Sequence, residues 1–107
     1  MEIKSRWFPY EKSIVINALY DTIEALGLSL DSSNSVRGTL IVSDAQHTGS
    51  MRVALDAAGH TDRTQVHIYP HDVGKNIINV WGDVILDELS GTIERARHSD
   101  KNKTNQE

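Results

Sequence analysis

Three short runs, 36–43, 50–56 and 64–69, alternate their side chains with a period of two. Leu40, Val42, Met51, Val53, Leu55, Val66 and Ile68 fall on one parity; Arg37, Thr39, Ile41, Arg52, His67 and Tyr69 fall on the other. Successive side chains of a strand point to opposite faces, so these runs predict a sheet with one apolar face and one of different chemistry. Such a sheet needs cover on its apolar side only. The rest of the chain must supply that cover.

Two segments have the spacing to do so. Ile16, Leu19, Ile23 and Leu26 follow one another at intervals of three and four, which builds a single apolar stripe on a helix over about 11–26. Gly27 follows as a left-handed cap. Farther on, Ile77 or Ile78, Trp81, Val84 or Ile85, Leu89, Ile93 and Ala96 recur at helical intervals, although Ile77-Ile78-Asn79-Val80-Trp81 is rich in β-formers and leaves the start of that helix open. Residues 2–8 read as a first strand stopped by Pro9, and 28–31 as a short second one. Ser32-Ser33-Asn34-Ser35 has turn chemistry, and Gly38 is placed as a bulge. The short connections favour antiparallel neighbours. The expected fold is therefore α+β: an antiparallel sheet of four to five strands with two helices on one face, in the order β-α-β-β-β-(β)-α.

With 107 residues the chain has the length of one domain, expected over 1–97, with 98–107 a disordered tail because no apolar residue follows Ala96. Cysteine is absent, which removes disulfides, thiolate metal sites and cysteine nucleophiles together. No run approaches the roughly 20 apolar residues of a membrane span, and the first residues lack a signal-type apolar stretch. A cytoplasmic location is expected. A net charge of −4 disfavours bulk attraction to nucleic acid or to anionic membranes. Any such role needs local clustering of the basic residues.

The stretch Ala25-Leu26-Gly27-Leu28 through Asp31, followed by Gly38-Thr39-Leu40-Ile41-Val42, resembles small bacterial domains of unknown function. In those domains a helix ends at such a glycine and a strand meander leads to a long C-terminal helix. The resemblance covers 2–97 and implies a TATA-binding-protein-like or truncated helix-grip fold. It implies no activity, because one fold hosts unrelated functions.

Candidate chemistry is sparse. His67, Tyr69 and His71 share a parity, and two imidazoles could begin a metal site if Asp44, His47, His60 or Asp72 converged on them. No recognised ligand spacing is present, and surface histidines beside a capping Asp72 are the plainer account. Ser43-Asp44-Ala45-Gln46-His47 holds the residue types of a hydrolytic triad within one loop, where a base is not held against its nucleophile. Asp83, Asp87 and Glu88 read as the solvated side of the last helix rather than as an acid–base pair. The glycines are isolated, so no phosphate loop or dinucleotide fingerprint exists. Trp7, Tyr10 and Trp81 could line a cleft for an apolar ligand, but core packing is the simpler role for both tryptophans.

What is left is the second face of the sheet. Arg37, Arg52, His67, Tyr69 and Ile41 are the expected ligand or interface residues, joined by Lys4, Arg6 and Phe8 if their parity matches. The expectation is a non-catalytic binding or homo-oligomerisation module with no cofactor and no metal, using this face, with a homodimer as the first hypothesis. The alternatives are a small anionic ligand or, less favoured, single-stranded nucleic acid on the same face, and a metal-dependent or hydrolytic centre around His67 and His71.

Overall fold

The computed structural model describes residues 3–46, 49–71 and 76–105. Strand β1 (Lys4–Phe8) leads into helix α1 (Lys12–Ala25). Strands β2 (Ser29–Asn34), β3 (Thr39–Ser43), β4 (Ser50–Asp56) and β5 (Thr64–Pro70) follow as a meander, and helix α2 (Asn76–Asn105) ends the series. All neighbours are antiparallel, in the order β1-β5-β4-β3-β2. The first two strands therefore sit at opposite edges, and α1 must carry the chain across the sheet. Fourteen helical residues span about 21 Å, close to the ~19 Å between the outer strands of a five-stranded sheet.

The α+β architecture agrees with the sequence reading, with five strands and both helices on one face. Leu40, Val42, Met51, Val53, Val66 and Ile68 are buried on that face against Val15, Ile16, Leu19 and Ile23 of α1 and Ile85, Leu86, Leu89 and Ile93 of α2. Tyr10 and Trp81 are partly buried against this core. Its polar groups are satisfied locally. The buried Thr22 hydroxyl donates to the Ala18 carbonyl at 2.8 Å and lies 3.1 Å from the Thr92 hydroxyl across the helix pair. Thr64 donates to the Tyr10 carbonyl.

Gly27 ends α1 as its position suggests. It has φ +72°, the Leu28 N–H bonds back to Ile23 and the Gly27 N–H to Glu24. That paired pattern is the Schellman closure, which consumes the last free carbonyls of the helix.

Several local expectations need correction. Ser32, Ser33 and Asn34 are strand rather than turn: β2 is an edge strand with mostly exposed side chains, so it needs no apolar pattern. The irregularity lies between Leu30 and Ser32. Gly38 is not a bulge. It closes the β2–β3 turn at φ +76°, its N–H bonded to the Asn34 carbonyl, while the Asn34 side chain accepts from the Arg37 N–H. The β-formers at 77–80 are helical, because α2 begins at Asn76. Helix α2 is described as far as Asn105.

Candidate functional site: the open face of the sheet

Cross-strand pairing sorts the uncovered face into rows. Ser32, Ile41, Arg52 and Tyr69 form one; Asn34, Thr39, Ala54, His67 and Ser5 form the next; Asp56, Gln65 and Trp7 form a third. Ile41, Arg52, His67 and Tyr69 are thus brought onto one surface, as the alternation requires. Arg37 is not. It lies in the β2–β3 turn, beside the Gly38 carbonyl that accepts from Leu55, and its own carbonyl takes a bond from Lys12.

The parity of β1 is opposite to the arrangement that would add Lys4, Arg6 and Phe8 to this face. Ser5 pairs with His67 and Trp7 with Gln65, so these two face outward. Phe8 enters the core at 3% exposure. Lys4 and Arg6 run under the edge of the sheet toward α2, where Lys4 lies 3.5 Å from Asp83 and Arg6 donates to Asp87 at 2.9 Å. Long basic stems can cover apolar surface while their charged heads stay wet. Asp83 and Asp87 are solvated, as expected, but each faces a cation of β1.

Trp7 is the residue that sequence reasoning misplaced. It is 43% exposed and stands on the open face, so no cleft with Tyr10 and Trp81 assembles. The β4–β5 loop builds its surroundings. Ala58 at φ +50° and Gly59 at φ +81° turn the chain, and the Asp56 carboxylate accepts from the Ala58 N–H at 2.8 Å. The turn delivers Arg63, whose guanidinium carbon is 4.8 Å from the Trp7 ring centroid, and His60, whose ring meets Trp7 edge-on at 6.1 Å. Arg63 Nη2 is 3.0 Å from His60 Nε2. Guanidinium only donates, so His60 Nε2 is the acceptor and carries no proton in this arrangement.

A second arginine–ring unit stands on the same face. The Arg52 guanidinium carbon is 5.0 Å from the Tyr69 ring centroid. His67 lies beside that ring at 6.0 Å between centroids, and its Nδ1 is 2.7 Å from Ser5 Oγ. Neither Arg52 nor Arg63 has a carboxylate partner among the described residues, whereas Lys4 and Arg6 on the covered side each have one. An exposed cation–ring contact contributes about 0.5–1 kcal/mol, enough to orient a guanidinium but little to give up to a ligand.

The enzyme alternatives find little support in this geometry. Ser5 and His67 are the right types for a nucleophile and base, but no carboxylate orients His67 among the described residues. Ser43 is buried and donates to Asp31; His47 lies outside the described residues. His71 follows the end of β5 at Pro70, four residues beyond His67, about 14 Å along an extended chain. No three His, Asp or Glu side chains gather at metal distance among the described residues, and Asp72 lies outside them.

On the helical side a groove of about 320 Å³ runs between α1 and α2, with Ala18 and Ile93 in its floor and Asp21 and Arg97 on its rim. Arg97 is already stacked on Tyr10, 5.1 Å from its centroid. The Tyr10 hydroxyl donates to Glu94 at 2.9 Å. That bond raises the Tyr10 pKa above its ordinary value near 10, with burial and the Glu94 charge adding to the rise and Arg97 opposing it.

No family model matches this chain, and no curated protein matches it. The solved structures to which the chain is similar include two of low identity. The crystal structure of Ara h 8.0201 is 14% identical over 88% of this chain and 97% of its own, with a TM-score of 0.46. That of TTHA0849 from Thermus thermophilus is 7% identical over the same shares, with a TM-score of 0.43. A long C-terminal helix held against an antiparallel sheet is helix-grip-like, one of the two folds the sequence resemblance implied. No helix among the described residues is long and apolar enough to cross a membrane.

Proposed function

We propose that this chain is a non-catalytic binding module that takes an anionic ligand on the open face of its sheet. The observation that carries this is the pair of arginines on that face, each laid against an aromatic ring and neither matched by a carboxylate among the described residues. Guanidinium groups held flat on a ring keep their N–H edges for a phosphate or carboxylate, which they grip bidentately. His67 and Gln65 lie between them in register. The absence of cysteine suits a reducing compartment, and the cytoplasm is the location this reading assumes.

Homodimerisation through the same face is the competing use, favoured by Ile41, Ala54 and the exposed Trp7. A charge argument counts against it: a two-fold axis would set Arg52 and Arg63 of one copy against the same cationic surface of the other.

Titration with inorganic tripolyphosphate, followed by calorimetry at low and moderate salt, tests the reading. Binding should weaken as salt rises, and Arg52→Gln and Arg63→Gln should each weaken it while lowering the melting temperature by no more than a few degrees. Absence of binding even at low salt would remove the anion site. A dimer by light scattering at tens of micromolar, lost in Arg52→Glu, would put self-association in its place.

A further inference from the structure

Along the seam of β1 and β5, three ring-bearing side chains occupy successive outward rows: Trp7 opposite Gln65, then His67, then Tyr69. Outward rows on a strand repeat every two residues, about 7 Å. The His67 and Tyr69 rings are 6.0 Å apart and inclined by 35°. Each end of the row has its own arginine, Arg63 on Trp7 and Arg52 on Tyr69.

We infer that this row binds single-stranded nucleic acid, with bases stacking along Trp7, His67 and Tyr69 and phosphates two linkages apart meeting Arg63 and Arg52. The inference rests on the anion-binding reading and narrows its ligand. The two arginine–ring pairs are set four β5 residues apart, about 14 Å, so one phosphate or one carboxylate does not serve both. A ligand that does serve both carries anionic groups at intervals along a chain and flat rings between them. That describes an unpaired oligonucleotide; a duplex hides its ring faces in its own stack. Gln65 and Ser5 sit within the row and offer an amide and a hydroxyl to base edges. Asp56 shares the Gln65 row, and its carboxylate is engaged by the Ala58 N–H. The acids Asp83, Asp87 and Glu94 lie on α2 beneath the other face, so a net charge of −4 does not describe the surface the ligand meets.

The full chain can be tested by fluorescence anisotropy with labelled short oligothymidylate and oligouridylate, with a duplex of equal length, and with tripolyphosphate as an unlabelled competitor. Both single strands should bind, the duplex more weakly. The slope of log K against log salt should be about −1.4 for two phosphates on a single strand. Trp7→Ala and Tyr69→Ala should each weaken binding about tenfold or more while the chain stays folded at the assay temperature. In a Trp81→Phe background, which leaves Trp7 as the emitter, the oligonucleotide should quench the emission. A duplex or tripolyphosphate that binds as tightly as the single strands would overturn the inference while leaving the anion site standing. Indifference of binding to Trp7→Ala and Tyr69→Ala would do the same. If no probe binds, tripolyphosphate included, both readings fall together.

Discussion

At the scale of single residues, the two sides of the sheet treat their charges differently. Lys4 and Arg6 are matched by Asp83 and Asp87, pairs that are largely exposed and worth about 0–1 kcal/mol each. Losing one should hardly move stability. Tyr10 is a more informative reporter. Its donated bond to Glu94 holds the proton on the phenol, so the folded pKa lies above the unfolded one. A raised folded value means the contribution is present below pH 10, the unfolded value, and is lost as pH climbs through the higher folded value. Ultraviolet titration should show Tyr10 ionising late in the parent protein, and Glu94→Ala should bring that phase to lower pH. If Glu94→Ala leaves the titration curve unchanged, the Tyr10–Glu94 bond does not form in solution.

At the scale of elements, much of the architecture was legible because burial leaves a periodic trace. The β3–β5 meander and the stripe of α1 each bury one side, so the periods of two and of three to four reveal them directly. Gly27 was readable for the same local reason. The edges were not. Strand β2 packs little and carries serine, so its sequence looks like a turn, and β1 places Lys4 and Arg6 on the covered parity because an edge residue can reach past the core to water. That inversion concealed Trp7, and with it the roles of His60 and Arg63. Only the adjacent Phe8 held a clue, since neighbours on a strand cannot both enter one core. The β4–β5 loop offers a separate check. Ala58 at φ +50° pairs with Gly59 at φ +81°, the positive-φ pair of a type I′ turn, where asparagine is favoured first and glycine second. Ala58→Asn should therefore raise stability by up to about 1 kcal/mol, the usual scale of left-handed strain in an L-residue. A lower melting temperature would show that Ala58 is held there by contacts worth more than its strain. Two other turns should rank in a definite order. Gly27→Ala adds a Cβ with nothing within 4 Å, whereas at Gly38 it meets Lys12 Cε at 2.5 Å and the Leu55 carbonyl at 3.3 Å. Both variants carry left-handed strain, and denaturant unfolding should find Gly38→Ala the more destabilised.

For the whole molecule, the decisive property is that one helical layer covers one side of a five-stranded sheet and stops. The apolar inventory is consumed there: Ile85, Leu86, Leu89 and Ile93 of α2 are buried, and the sequence after Ala96 has no further apolar residue to contribute. Arg97, stacked on Tyr10, is the last residue of α2 with a described contact to the rest of the fold. A stretch of helix without an apolar face gains little from packing, and its stability in isolation is marginal because nucleation is costly and the segment is short. The fold should therefore close by residue 97. Truncation after Arg97 should leave the melting temperature within about 2 °C of the full chain, since surface changes away from a packed contact stay within about 0.5 kcal/mol. Far-ultraviolet circular dichroism should meanwhile lose at most the helical signal of 98–105. A large drop in melting temperature would mean that these residues brace the helical layer, and that the domain extends to the end of α2. Anion binding provides the complementary readout. The open face lies on the far side of the sheet from α2, so the truncated chain should bind tripolyphosphate as the full chain does. A loss of binding without a loss of stability would tie the C-terminal segment to the ligand instead of to the core.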